Sequence, residues 1–288
     1  MQLKVEGILL AKAPWRERDL RGQILLRSGQ QINAIFYGGQ GGGAQKKASG
    51  LELGHMLHLE VAARNGPGQD LWTAKEWKVL WASERIRYHW PSFCLLCFYL
   101  EVLKNLAPHG TWDEAWGNEA SDNHAMEEFR GLFTVASNAI YHLEQLNQAW
   151  TAEKACADEV TLSSLSWHWA VFLGKLLLAM GWAPRFNQCC FCQQELASQL
   201  ARWLVAEGGF ACTNCFGQNL DKMSDSWHQL WRLWALEKYA DLVSNIRPLP
   251  GKGLALSEYF FYQSSLAVAG IKSWPSLLAA GIGPHCRG

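Results

Sequence analysis

Two pairs of cysteines carry the clearest chemical signal in this sequence. One lies in CCFC at residues 189–192 and the other in CTNC at residues 212–215. Two residues separate the thiols within each pair, a spacing typical of a tight metal-binding turn. Four thiolates can surround zinc at about 2.3 Å, so the spacing predicts a structural Zn²⁺ site formed by Cys189, Cys192, Cys212 and Cys215. Cys190 is an alternative first ligand, although the gap to Cys192 favours Cys189.

A complete set of four protein ligands leaves no position for a reactive water, so we expect this metal to be structural rather than catalytic. One enzymatic alternative is a zinc-dependent nucleobase deaminase, whose His-x-Glu motif is followed by Pro-Cys-x-x-Cys. The sequence contains His142 and Glu144, but Gln188 stands where the proline is expected, and the second cysteine pair would have no role. We therefore expect no enzymatic activity.

The other cysteines have weaker patterns. Cys94 and Cys97 also form a Cys-x-x-Cys pair, but their large apolar neighbours predict buried helix thiols. An odd total of 9 Cys favours free thiols and metal ligands over a disulfide framework, as in a reducing cytoplasm.

Five short strands are predicted in the first 80 residues from period-two patterns and short apolar runs. They cover Leu3–Lys12, Gln23–Arg27, Gln31–Tyr37, Met56–Ala63 and Leu71–Leu80. A glycine-rich loop, Gly38–Gly50, separates the third strand from the fourth. Five strands with one long loop suit a small barrel of the oligonucleotide-binding (OB) type, although an open sheet would use the same pattern.

Helical periodicity replaces the strand pattern after Trp81. The predicted helices are Ser83–Leu106, Ala125–Ala149, Thr161–Met180, Ser226–Ser244 and Ser257–Val268. Trp227, Trp231 and Trp234 recur at helical spacing beside leucines, which predicts a core-facing stripe rather than a base-stacking surface. The fold class is therefore α+β: an OB-type barrel at 1–80, then an all-α helical domain at 81–288 with the cysteine insert at about 184–220.

Composition excludes disorder and predicts no membrane span. The chain has 288 residues, 49% hydrophobic, with formal net charge +0. Its longest apolar run, Phe93–Leu100, is far below the roughly 20 residues that cross a bilayer, and the stretch from Trp167 to Ala183 contains His168 and Lys175. The N-terminus lacks a cleavable signal pattern, so a cytoplasmic protein is expected.

Three segments of the sequence contain recognisable motifs. In the middle, Gly181, Trp182 and Pro184 precede the first cysteine pair, and Gly208 and Gly209 precede the second. VEGILLAKAPWRERD contains a Glu-x-Asp turn, at Glu17 and Asp19, and GIKSWPSLL contains Lys272 and Ser273. These segments resemble the zinc-binding segment, the opening strand and the terminal helix signature of the bacterial DNA repair protein RecO family.

The resemblance implies an OB-fold, a helical domain with a zinc module, and a recombination mediator of the RecFOR pathway in DNA damage repair. Such a protein binds single- and double-stranded DNA, anneals complementary strands and helps RecA replace single-strand-binding protein. The implied partners are RecR and the C-terminal tail of single-strand-binding protein, and the implied location is the nucleoid region of the bacterial cytoplasm.

Candidate DNA contacts are the clustered cations Arg16, Arg18 and Arg21 after the first strand, and Lys46 and Lys47 in the glycine loop. Loops that project from a barrel can neutralise phosphates without reading sequence. Members of the family commonly have an arginine-rich strand and loop after the third strand, whereas this chain has only Lys46 and Lys47 there. The neutral net charge therefore leaves a second function open, a zinc-stabilised protein-interaction adaptor with little DNA binding.

Overall fold

The computed structural model describes residues 2–39, 51–63, 71–110, 123–153, 159–196, 201–216 and 222–284. These residues form two compact units, Met1–Thr151 and Ala152–Gly288. The sequence-based limits of 1–80 and 81–288 follow the change from strands to helices instead, and they stay a prediction.

The first unit begins with a closed five-stranded barrel. Its strands are β1 (Gln2–Pro14), β2 (Leu20–Leu26), β3 (Gln31–Phe36), β4 (Met56–Ala63) and β5 (Leu71–Trp81). The strand order is β1-β2-β3-β5-β4, and β4 pairs with β1 to close the sheet. Only the β3–β5 pair is parallel among these pairings. The barrel rather than the open sheet is therefore the correct alternative.

Alternating side chains fill the barrel interior. Leu9, Ile24, Phe36, Leu59 and Trp72 belong to this core, and each is less than a tenth exposed. Gly22 lies among them because a Cβ atom there would be 2.7 Å from Cε2 of Phe36. Closure pairs the backbone of both edge strands, and the interior supplies apolar burial, so the barrel has a core of its own.

The outer face of β1, β2 and β3 is covered as well. Ile8, Leu10, Leu25 and Ile35 are buried although they do not belong to the interior cluster. Helix α1 (Trp90–Leu106) packs against β1 and β2 in the same unit. Much of the barrel surface next to these strands is therefore occupied by the protein itself.

The first predicted helix, Ser83–Leu106, is divided in the structure. A short 3-10 helix covers Arg85–Tyr88, and α1 starts only at Trp90. His89 has extended backbone angles, φ −120° and ψ 105°, and Pro91 lies in the first turn of α1. Proline has no N–H to continue a preceding helix, which explains the interruption. Helix α2 (Asn123–Glu153) completes this unit and confirms the second predicted helix.

The second unit is built around α3 (Glu159–Ala179), which confirms the third predicted helix. Helix α3 packs against α5 (Lys222–Leu236), α6 (Tyr239–Ser244) and α7 (Leu254–Ser264). A 3-10 turn (Val268–Gly270) and α8 (Trp274–Ala279) follow. Gly181, with φ +69°, ends α3 because a left-handed residue allows Trp182 N–H to donate to the carbonyl of Leu177 at 2.8 Å.

Two helix limits predicted from the sequence were wrong. Ser226–Ser244 is two helices, because the chain is extended at Lys238 and Lys175 Nζ donates to the carbonyl of Glu237 at 2.6 Å. The last predicted helix, Ser257–Val268, begins earlier at Leu254 and ends at Ser264, where Ser265 takes a left-handed conformation.

One helix, Val160–Ala179, is long and apolar enough to cross a membrane by length and composition alone. Of its most apolar window, 67% is buried inside the protein. Trp167, Trp169 and Phe172 are fully covered, as expected for the core helix of a globular unit. The fold class predicted from the sequence, a five-stranded barrel followed by a helical region with a cysteine module, is confirmed.

Candidate metal centre and nucleic-acid interface

Three short strands hold the cysteines. They are β6 (Arg185–Cys189), β7 (Ala201–Leu204) and β8 (Gly209–Cys212), in the order β6-β8-β7. A single helical turn, α4 (Thr213–Phe216), follows β8. We call residues 185–196 and 201–216 the cysteine module. Its strands place Cys189 at the end of β6 and Cys212 at the end of β8.

The first pair lies in a closed turn. Cys189 N–H donates to the carbonyl of Gln194 at 2.9 Å, and Gln193 N–H donates to the carbonyl of Cys189 at 2.9 Å. Gln193 takes the left-handed conformation, φ 60°, that this reversal requires. The turn brings Cys192 back beside Cys189. In the second pair, α4 brings Cys215 back towards Cys212 in the same way.

The four sulfur atoms lie within 4.8 Å of one another. The Sγ atoms of Cys192 and Cys212 are 3.7 Å apart. A tetrahedron with metal–sulfur bonds of about 2.3 Å has sulfur–sulfur edges of about 3.8 Å, so this pair already has the required separation. The donor set and its spacing therefore fit a zinc ion bound by four thiolates.

Backbone N–H donors stabilise the thiolate form of Cys189. Burial raises the pKa of its thiol, but N–H groups of Cys192, Cys212 and Phe191 bond to the sulfur and bring the pKa down to about 6. The Cys212 N–H contact is 3.4 Å long. The pKa of Cys215 is raised to about 12, first because its thiol bonds to Cys192 and then to Cys212. The sulfurs thus form one connected group around a thiolate at Cys189.

The other thiols among the described residues lie outside this group. Cys189, not Cys190, contributes its sulfur to the four-sulfur cluster. Burial, followed by the charges of neighbouring groups, raises the pKa of Cys94 to about 11 and also raises the pKa of Cys97. Both side chains lie on α1, where Cys94 is buried and Cys97 is partly buried, so the prediction of buried helix thiols is confirmed for Cys94 and only in part for Cys97.

An aromatic cluster supports the module from the helical side. The Trp203 ring, on β7, stacks on Phe210 with centroids 5.9 Å apart, and it meets Trp227, Trp231 and Tyr259 at 5.2, 5.8 and 5.3 Å. Trp227, Trp231 and Trp234 are all buried, which confirms the core-facing stripe. These contacts attach the small sheet to α5 and α7.

A histidine adds a polar contact to the same junction. The Nε2 atom of His228, on α5, is 2.8 Å from the carbonyl oxygen of Phe186 on β6. The ring also lies 5.2 Å from that of Phe210. His228 therefore connects α5 to the strand that ends at Cys189, a role that helical periodicity could not reveal.

Glu144, the acid of the deaminase alternative, has a structural role. Its two carboxylate oxygens accept the backbone N–H groups of Arg85 and Ile86 at 2.9 and 3.1 Å, and the side chain is buried. These are the first donors of the 3-10 helix, which have no partner within it. Burial lowers the pKa of His142 on the same helix. Glu144 thus serves the fold as a cap.

The predicted DNA contacts are only partly within the described structure. Arg16 and Arg18 lie in the exposed turn between β1 and β2, whereas Arg21 lies on β2 itself, between Ala13 and Ile35 on the neighbouring strands. All three side chains are exposed. Lys46 and Lys47 lie outside the described residues. The structure therefore brings three of the five candidate cations to one end of the barrel.

The turn that carries these arginines is internally bonded. Trp15 N–H donates to the carbonyl of Asp19 at 2.9 Å, and Asp19 Oδ1 accepts the N–H of Gly38 at 3.0 Å. Asp19 thus connects the β1–β2 turn to the residue where the glycine-rich segment begins. This contact spans 19 positions of sequence, and no local pattern signals it.

A family model matches part of the second unit. Residues 159–247 match the family model described as Recombination protein O C terminal. Over these residues the chain is similar to the C-terminal part of RecO. The matched range contains α3, α5 and α6 together with all four clustered cysteines. A search of curated proteins finds no match to this chain.

The structure explains the Gly-aromatic-x-Pro motif at residues 181–184. Gly181 ends α3, and Tyr259 donates its hydroxyl proton to the carbonyl of Trp182 at 2.9 Å. Burial is the main cause that raises the pKa of Tyr259 to about 12, which keeps this donor protonated. The Gly-aromatic-x-Pro motif therefore fixes the path of the chain from α3 into the cysteine module.

Proposed function

We propose that this protein is a recombination mediator of the RecO family that acts in DNA repair. It binds single- and double-stranded DNA, anneals complementary strands and, with RecR, assists RecA loading onto DNA coated with single-strand-binding protein. The observation that carries the proposal is the match of residues 159–247 to the C-terminal RecO family model. The closed barrel of the oligonucleotide-binding order supports it independently.

DNA binding is assigned in this proposal to Arg16, Arg18, Arg21, Lys46 and Lys47. Three exposed arginines at one end of the barrel support phosphate contacts that do not depend on base sequence. Zinc bound by Cys189, Cys192, Cys212 and Cys215 acts as a structural clamp. With four thiolates the metal has no open position, so the proposed activity involves binding and strand pairing rather than bond cleavage.

The partners follow from the same family assignment. They are RecR and the C-terminal tail of single-strand-binding protein, and the site of action is the nucleoid region of the bacterial cytoplasm. Purified components can test this directly. Two complementary oligonucleotides, each coated with single-strand-binding protein, should anneal faster when the protein is added, and RecR should increase RecA loading on the coated strand. Unchanged annealing and loading would contradict the mediator assignment.

A pair of matched variants tests the arginine contacts. R16A/R18A should weaken DNA binding and reduce the dependence of log affinity on log salt by about 0.7 for each phosphate of a single strand that the variant no longer neutralises. K238A/R247A removes the same charge from exposed positions of the second unit and should leave both quantities unchanged. Equal effects of the two double variants would show that the arginine turn does not form the DNA interface.

One observation favours the second function, a zinc-stabilised adaptor with little DNA binding. The outer face of β1–β3, a usual nucleic-acid surface of this barrel type, is buried at Ile8, Leu25 and Ile35. Binding of fluorescent single-stranded DNA at low and moderate salt separates the two functions. A mediator should bind the DNA at low salt, with an affinity that falls measurably as salt increases. An adaptor should bind RecR without binding DNA.

A further inference from the structure

The end of the barrel that carries the arginines also carries two exposed aromatic residues. Trp15 directly follows β1 and is 37% exposed, and Tyr37 directly follows β3 and is 47% exposed. Barrel aromatics such as Trp72 and Phe36 are buried. Folding therefore leaves part of both rings in contact with solvent, at the positions where β1 and β3 end.

Strand pairing and hydrogen bonds place the two aromatic residues on either side of Asp19. Leu20 pairs with Pro14 on one side and with Phe36 on the other. Next to these pairs, Trp15 N–H donates to the carbonyl of Asp19, and Tyr37 lies beside Gly38 in a turn closed by the Gly39 N–H and the Phe36 carbonyl. We call Trp15, Asp19 and Tyr37 the rim row. Arg21 follows Asp19 by two residues and so shares its face of the sheet.

Asp19 holds this row together. Its backbone carbonyl bonds to Trp15, and its side-chain carboxylate bonds to Gly38, the neighbour of Tyr37. Asp19 is thus bonded to Trp15 itself at 2.9 Å and to the residue after Tyr37 at 3.0 Å. The two flanking strands are about 10 Å apart, twice the usual strand spacing, which leaves room for a nucleobase against each ring.

Electrostatics alone is weak at this end of the barrel. Residues 15–21 contain Arg16, Arg18 and Arg21 but also Glu17 and Asp19, so the segment has a net charge of only +1. Stacking on aromatic rings is independent of base sequence and contributes about 1–3 kcal/mol per base in single-strand-binding proteins. A weakly charged interface with two open rings thus matches stacking better than phosphate binding alone.

We propose that Trp15 and Tyr37 are base-stacking residues, and that the rim row makes this barrel selective for single-stranded over double-stranded DNA. The arginines beside the row contact phosphates while the rings contact bases that a duplex keeps stacked internally. This inference rests on the proposed DNA binding and adds to it the residues that determine selectivity for single-stranded DNA.

The test compares single-stranded and duplex oligonucleotides in a fluorescence anisotropy titration of the full chain. W15A and Y37A should each weaken single-strand binding by roughly 5- to 100-fold, without changing the salt slope, because neither removes a charge. Duplex affinity should stay within about twofold of the wild type. W15F and Y37F keep a stacking ring and should restore most of the single-strand affinity. Y262A, at an exposed tyrosine of the second unit, is the control and should bind as the wild type does.

The possible failures are distinct. A wild-type protein that binds no single-stranded DNA at low salt contradicts the proposed function itself. Binding by the wild type that W15A and Y37A leave unchanged, or an equal loss for duplex and single strand, overturns the stacking proposal alone. Circular dichroism and thermal unfolding of each variant show whether the barrel is intact. If an alanine variant fails to fold, W15L and Y37L keep an apolar side chain without a ring and should show the same loss of single-strand affinity.

Discussion

The barrel and the cysteine module are both small β-structures, but they are stabilised in different ways. The barrel closes on itself and encloses an apolar interior that includes Leu59 and Trp72. The module has strands of four or five residues, with the four thiols at one end and Trp203 packed against the helices. Short sheets of this kind have little core of their own. The comparison teaches that metal loss should affect one β-structure and spare the other.

The largest expected effect is that of removing a zinc ligand. C212S should abolish stoichiometric zinc binding and unfold the cysteine module, because structural zinc contributes about 10–16 kcal/mol to the folding of small zinc domains. Metal analysis and hydrogen exchange measure the two outcomes. Barrel amides should keep their protection, and C190S should retain zinc because Cys190 lies outside the four-sulfur cluster. Loss of protection in the barrel would contradict its independence.

The aromatic support of the module provides the next largest effect. W203A removes ring contacts with Phe210, Trp227, Trp231 and Tyr259, and it should lower the free energy of unfolding of the second unit by about 3–5 kcal/mol. Chemical denaturation monitored by circular dichroism checks this. W90A, at an exposed position of the first unit, is the matched control and should cost little. A W203A protein as stable as the wild type would show that the thiols alone support the module.

A barrel variant tests the other side of the comparison. G22A places a methyl group 2.7 Å from the Phe36 ring, and such overpacking typically costs about 1–3 kcal/mol. Thermal unfolding should show this loss in the first unit, while zinc content and the protection of residues 185–216 stay unchanged. Release of zinc from G22A would mean that the two β-structures are coupled.

The smallest effect should be a gain in stability. Gln193 takes a left-handed conformation that costs a side-chain-bearing residue about 1 kcal/mol or more, so Q193G should stabilise the first cysteine turn by up to about 1 kcal/mol. Competition with a zinc chelator reports the gain as slower metal loss. Q194G, at the neighbouring position without positive φ, should give no such gain.

The sequence predicted the barrel well because its signals are local. Each of the five strands has alternating apolar residues and is bounded by glycine or polar turns, so it can be recognised from its own residues. The observed bounds differ from the predicted ones by at most three residues. The signal for the metal site was also local, because each Cys-x-x-Cys pair lies within four consecutive residues. Spacing alone favoured Cys189 over Cys190, and the four-sulfur cluster agrees.

The missed features depend on contacts that are distant in sequence. Glu144 matched half of a catalytic motif, yet its partners are backbone donors 58 and 59 positions away. The helix break before Tyr239 involves Lys175, which lies on another helix. Trp15 and Tyr37 belong to no motif, and only the hydrogen bonds of Asp19 with Trp15 and Gly38 place them on either side of it. Periodicity identifies elements but does not indicate which side chains meet after folding.

The buried outer face of β1–β3 has a consequence for how long a DNA segment the protein can hold. If nucleic acid binds where the proposal assigns it, the path is limited to the end of the barrel, since Ile8, Leu25 and Ile35 are already covered. Such a site binds a few nucleotides and leaves the adjacent nucleotides of the strand unbound. A strand held at so few points can still find and pair with its complement, which is what annealing requires.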